Sequence, residues 1–315
     1  MSLPLWFRVL PRAWRRRTYT GRLGFKPQEI AGLVFKIADR RAEWEQAFRL
    51  LHDVSVQAGF YQPRESGMRV MPCHAVPSTA VFVALKGQEV VGTMTLVEDS
   101  PLGVPMEPIF PEEVNRYRVQ KRRVAEVSAL AVHKAFRGTG MTMTMNRVMW
   151  RWAYFYRQVT DLVICVRPFA ADYYKSVLLF EQIGPARPYQ SLKNTPVVPL
   201  RLDLQTAVER YQRVYGEKPR PGLRNVYRFM VLERDITAVK LPRRLNQVWV
   251  ESDEVPPMSA DDFRFFFVDQ DPVLADVDEH RLRYLAKCYP QFDVMSVVGN
   301  DVDRYGASAK RTTVS

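Results

Sequence analysis

The chain has 315 residues, 47% of them hydrophobic and 25% charged, with a formal net charge of +12. That length fits one large domain or two small ones, and the composition excludes fibrous and disordered classes. No apolar run reaches the roughly 20 residues a membrane-spanning helix needs, and the excess of cations calls for an acidic partner: nucleic acid, an anionic membrane or an acidic carrier protein.

The cations are unevenly placed. Arg8, Arg12, Arg15, Arg16, Arg17, Arg22 and Lys26 all precede the first acid, Glu29, so residues 1–28 read as a basic arm without periodicity. Arginines and prolines interrupt the apolar stretch that an export signal requires, and Pro11 interrupts any helix across the arm. Cys73, Cys165 and Cys288 have no paired spacing, which predicts neither a disulfide framework nor a zinc knuckle, and a cytoplasmic location. His52, His74, His133 and His280 show no ligand spacing, so no metal is expected.

In chain order, "LVFKIAD" from Leu33 reads as a strand. The stripe Trp44, Phe48, Leu51 predicts a helix ending at Gly59. After a proline-rich loop, "VFVALKGQEVVGTMTLV" is a hairpin, and "EDSPLGVPMEPIFPEEV" is too irregular for one element. "VAEVSALAV" is the next strand, and a helix follows from about 141 to 158. "DLVICV" is a buried strand, "AADYYKSVLLFEQIG" a helix stopped by Gly184, and "TPVVPLRLDL" the last strand. The predicted class is α/β, a mixed central sheet flanked by helices over residues 29–204. A mainly helical extension over 205–315 follows, opened at one point by the capping box of Ser259 and Asp262 and ending in a frayed tail.

Three constellations carry chemistry. "FRGTG" places Arg137, Gly138, Thr139 and Gly140 at a helix start, where freed backbone N–H groups and a guanidinium can hold a phosphate. Glu126 shares a strand face with Ser128. A carboxylate there either has its pKa raised by burial and acts as a base, or pairs with Arg122 or Arg123. Tyr173 and Tyr174 follow a buried strand on a helix, and one of them can protonate a leaving group or simply pack. His74 is a further candidate base. Its neighbour Cys73 points the other way in an extended loop, which argues against a dyad.

These motifs, with "AFRLLHDVSVQAGF", "MPCHAVPSTAVFVA" and "AEVSALAVHKAFRG", resemble the long-chain N-acyl amino acid synthases over about residues 33 to 204. That family is a GNAT-like group of acyltransferases related to acyl-homoserine-lactone autoinducer synthases. The resemblance implies transfer of a long-chain fatty acyl group from acyl carrier protein to the amino group of an amino acid. It implies Glu126, in its Glu-x-Ser motif with Ser128, as the base, and Tyr174 as the proton donor to the thiolate; His74 stays a candidate on its own residues. Ala129, Leu130 and Ala131 would hold the phosphopantetheine by their backbone, and Arg137, Gly138, Thr139 and Gly140 its phosphate. No cofactor of the protein's own is implied.

Thr142 stands where coenzyme A users of this fold place a second glycine, which leaves room for one phosphate rather than a pyrophosphate. An acidic carrier would contact the cluster Arg116, Arg118, Lys121, Arg122 and Arg123, and the arm is suited to an anionic membrane. Arg49, Arg69 and Arg167 are equal candidates for the acceptor's carboxylate. Two rivals stand beside this reading: an autoinducer synthase, against which Ala129 speaks because an arginine is usual there, and a lipid- or carrier-binding sensor without turnover. Nucleic acid is not an expected partner, since no reading motif accompanies the charge.

Overall fold

In the computed structural model, which describes residues 9–22, 30–216, 225–233, 238–240 and 258–299, the strands follow the predicted alternation closely. They are β1 (Leu33–Ile37), β2 (Ala80–Lys86), β3 (Glu89–Glu98), β4 (Val124–Val132), β5 (Asp161–Val166), β6 (Glu181–Gln182), β7 (Arg187–Tyr189), β8 (Thr195–Asp203) and β9 (Ala238–Lys240). The sheet order is β6-β8-β5-β4-β3-β2-β1-β9, with β7 paired to β8. Neighbours from β1 to β4 run antiparallel, β4 and β5 run parallel, and β5 and β8 run antiparallel.

The period-2 pattern of β2 divides the interior. Phe82 and Ala84 face one core with Met145, Trp150 and Tyr211, whereas Val81 and Val83 face another with Trp44, Phe48 and Phe266. Both faces are therefore covered. On one lie α4 (Met141–Arg151), α5 (Pro168–Ser176) and α6 (Leu204–Tyr215); on the other lie α2 (Arg41–Gln57), α7 (Ala260–Arg264) and α8 (Glu279–Cys288). Residues beyond 204 thus pack on both faces, and β9 extends the sheet at β1. In the extension Ser259 accepts the Asp262 N–H as a helix cap, while the expected frayed tail from residue 300 on lies outside the described residues.

Three elements differ from expectation. The helix expected to run to Gly184 ends at Ser176, and Glu181–Gln182 pair with β8 as strand β6. The arm contains a helix, α1 (Arg12–Arg22). Pro11 starts it rather than breaking it: its carbonyl accepts the N–H groups of Trp14 and Arg15, a position where a missing proline N–H costs nothing. The helix docks on α5, where Arg15 and Tyr19 both bind Asp172 and Arg16 donates to the Ser176 carbonyl. Arg8 and Lys26 lie outside the described residues. The irregular connection likewise holds a helix, α3 (Pro111–Val119), again opened by a proline.

The feature that positions the site is a parting of strands. β4 pairs with β5 only at Val124↔Asp161, Ala125↔Leu162 and Glu126↔Val163. On its other edge β4 slips by one residue against β3, since Thr95 opposes Ser128 but Thr93 opposes Ala131. The extra residue is a bulge, and Ala129 takes φ 54° to make it. A bulge bends its strand, so β4 leaves β5 just past Glu126.

Candidate active site

A cavity of about 280 Å³ occupies the gap. On the α2 face it is lined by Leu51, Val54, Ser55 and Arg69, and on the α4 face by Met149, Trp150, Tyr211 and Met230. It therefore passes through the sheet, polar at one end and apolar at the other.

Glu126 is 2% exposed and lines this cavity beside Ser128, Ala129 and Leu130. Its carboxylate accepts the Met106 N–H at 2.6 Å. Burial outweighs that bond and pushes the carboxyl up to about 8. The alternative ion pair is not formed: Arg122 binds Asp161 and Asp203, and Arg123 is exposed. Ala131, by contrast, is buried against β3 and does not reach the cavity.

The two tyrosines separate. Tyr174 lines the cavity, packs edge-on against Phe180 at 5.8 Å, and has its phenol pKa raised by burial. Tyr173 turns away, donating to Met143 Sδ at 3.0 Å and meeting Tyr19 of α1. A raised pKa keeps the Tyr174 hydroxyl protonated and able to donate.

His74 does not belong to this group. It is absent from the cavity wall, stacks on Phe48 at 4.7 Å, and accepts the Met71 N–H through Nδ1 at 3.1 Å. Burial, with the nearby Arg69 charge adding to it, lowers its pKa to about 3, so it is a neutral packed ring rather than a base at neutral pH. The thiols are inert as well: burial and the Glu126 charge push Cys73 up to about 12 and raise Cys165 further. Among the described residues no group of three His, Cys, Asp or Glu could hold a metal ion.

The structure ranks the three arginines that the sequence left equal. Arg49 is half exposed and bound to Glu45, and Arg167 is exposed over the rings of Phe60 and Phe169. Arg69 alone of the three lines the cavity. Its side chain donates to Ser55 Oγ at 3.0 Å and lies 5.0 Å from the Tyr61 ring, and burial lowers its pKa. A guanidinium held mainly by neutral groups inside a cavity is suited to pair with an anion.

A second hollow of about 450 Å³, lined by Val54, Gln57, Leu130, Arg137 and Thr142, shares Val54 and Leu130 with the first. It leads from the FRGTG turn to the parted strands. Gly138 and Gly140 have φ of 85° and 95°, conformations that favour glycine, and Gly140 caps α4. Arg137 donates through Nε to the Val132 carbonyl at 3.2 Å and is otherwise exposed. The Thr139 hydroxyl is already used, donating to the Phe136 carbonyl at 2.7 Å.

The expected carrier-contact cluster is corrected at two of its positions. Arg118 binds Asp99 and Glu107, and Arg122 is held as above, so two of its five cations are already neutralised. Arg116, Lys121 and Arg123 are exposed, but they precede β4 while the FRGTG turn follows it. Nine residues of strand separate the two places, roughly 30 Å at 3.3 Å per residue. The exposed cations beside the hollow are instead Arg137, Lys134 and Lys86.

Solved structures that the chain resembles include FeeM, an N-acyl amino acid synthase from uncultured soil microbes, at 22% identity and a TM-score of 0.49, covering 56% of this chain and 93% of that one. They also include the coenzyme A-dependent acyl-homoserine lactone synthase BjaI at 18% identity and a TM-score of 0.43, covering 64% of this chain and 98% of that one. The synthase LasI gives 17% identity and a TM-score of 0.42, covering 60% of this chain and all of that one. No curated protein matches the chain. The family model of the N-acyl amino acid synthase FeeM matches residues 46–203. That match spans half of the chain, which therefore belongs to the FeeM family of GNAT-fold acyltransferases.

Proposed function

We propose that the enzyme transfers a fatty acyl group from a carrier-protein thioester to the α-amino group of an amino acid. The observation that carries this is the polarity of the cavity: a buried carboxyl and a half-buried guanidinium at one end, and an aromatic and thioether wall at the other. An amino acid presents an amine and a carboxylate to the first, and an acyl chain fills the second.

The steps balance. Glu126 takes a proton from the ammonium, directly or through water, and the freed nitrogen attacks the thioester carbonyl. A C–N bond forms, the C–S bond breaks, and Tyr174 gives its proton to the departing thiolate of the pantetheine arm; the second proton shed by the nitrogen returns to the Tyr174 phenolate through water, and Glu126 releases its own to solvent. The products are an N-acyl amino acid and the free carrier. Backbone N–H groups left without a β5 partner past Glu126 are suited to hold the pantetheine and polarise the carbonyl oxygen. The single phosphate binds at Arg137 and the start of α4, and the acidic carrier docks over Arg137, Lys134 and Lys86. Outward on α1, exposed Trp14 between Arg12 and Arg17 suits the protein to the surface of an anionic membrane, where a cytoplasmic enzyme releases a lipid product.

The purified protein, mixed with long-chain acyl carrier protein and the twenty amino acids, is expected to yield at least one acyl amide by mass spectrometry. Carrier binding without any amide would mean a sensor, and a lactone made from S-adenosylmethionine an autoinducer synthase. Amides formed equally well from acyl coenzyme A would refute the reading of Thr142. Within the same assay, Tyr174→Phe should lower kcat roughly a hundredfold, the low end for a lost general acid, without raising the donor KM. Tyr173→Phe should leave kcat unchanged.

A further inference from the structure

We propose that Met230 and Tyr211, both outside the family-matched segment 46–203, form the stop that sets the length of the acyl chain accepted. The inference rests on the acyl-transfer reading above.

The apolar end of the cavity is closed by rings that cannot move and one side chain that can. Tyr211 is fully buried and fixed through its hydroxyl, which donates to the Leu178 carbonyl at 3.0 Å. Trp150 is 1% exposed, stacked on Tyr154 at 5.0 Å and set 6.5 Å from Tyr211. Met230 is also buried, but as an unbranched thioether it fills irregular space and yields to small changes in its contents.

Met230 belongs to a short π-helical turn, Arg228–Leu232, and that turn is strapped to α4. Arg147 donates to the Glu233 carbonyl and lies 5.3 Å from the Phe229 ring, while Arg151 donates to the Val231 carbonyl at 3.5 Å. The same helix begins at the FRGTG turn, where the donor's phosphate is placed. One rigid element therefore holds both ends of the bound acyl arm. From Met141 to Arg151 it spans eleven residues, about 15 Å at 1.5 Å per residue. A stop tethered to the donor's anchor measures the chain.

The test loads acyl carrier protein with saturated chains of graded length and compares amide yields for Met230→Ala and Met230→Phe with the unaltered enzyme. One methylene forced against a fixed wall changes selection by roughly 10- to 200-fold, so Ala should move the optimum to longer chains and Phe to shorter ones. Direct binding of free fatty acids of the same lengths, followed by native mass spectrometry on the folded variants, should move in the same two directions without any turnover. Identical length profiles in all three proteins, in yield or in binding, would overturn the stop. Absence of amide from every donor with length-dependent binding intact would overturn acyl transfer and leave the stop standing.

Discussion

Replacing Glu126 by Gln is expected to lower amide formation by roughly 10²–10⁴-fold, the range for a lost general base, while binding of the acyl carrier persists. The expectation follows from where the charge sits. A carboxyl pushed up to about 8 by burial is much closer in basicity to an amine than an ordinary carboxylate is, so the proton moves to it at a smaller free-energy cost. The rate in the unaltered enzyme should accordingly rise with pH toward about 8 as the base ionises, and this limb should vanish in the Gln variant. A pH profile of kcat/KM unchanged by the substitution would remove Glu126 from the chemistry.

The same substitution carries a stability prediction of opposite sign. Glu126 has a folded-state pKa above its value in the unfolded chain, so the folded state holds the proton more tightly. Its contribution to stability is fully present below the unfolded carboxyl value and is lost progressively as pH rises to about 8. Gln keeps an acceptor for the Met106 N–H and has no proton to lose. Thermal melts of the unliganded protein should therefore favour the Gln variant increasingly from pH 5 to pH 9. A base held un-ionised by its surroundings is a cost to the fold, and removing it exchanges activity for stability.

Much of this site is legible in the chain, because its parts are local. The alternation of "VAEVSALAV" marks β4 to the residue, and the glycines of "FRGTG" mark the turn into α4. The bulge is not legible. Left-handed backbone usually announces itself as glycine or asparagine, and here an alanine, Ala129, adopts it where β4 slips against β3 after parting from β5. Nor are the long-range placements: Arg69 comes from a proline-rich loop, and Tyr211 and Met230 come from a segment with no motif. His74 shows the reverse error. A polar side chain near a candidate acid suggests chemistry, yet the imidazole is used locally, to accept a backbone N–H. Arg118 and Arg122 are a related case, since a run of cations does not disclose which of them the fold has already paired with Asp99, Glu107, Asp161 and Asp203.

Arg69→Gln is expected to raise the KM for the acceptor about a hundredfold, with kcat falling much less. The loop that carries Arg69 is braced from the extension: Arg64 binds Asp271, and the Tyr289 hydroxyl donates to the Ala75 carbonyl at 2.8 Å. The guanidinium is thus held in place before any ligand arrives, with Ser55 and Tyr61 on its flanks. A carboxylate that enters completes a charge pair whose desolvation the fold has already partly met. Losing one member of such a pair costs about 2–5 kcal/mol, and a hundredfold change corresponds to about 2.8 kcal/mol. Because the carboxylate's charge does not change as the nitrogen attacks, that energy is spent equally in ground and transition states, which is why KM rather than kcat moves. An amine of the same side chain but lacking the carboxylate makes the decisive comparison. It should be a poor acceptor for the unaltered enzyme and no worse for the variant; a variant that still preferred the amino acid by the full margin would place the anion receptor elsewhere.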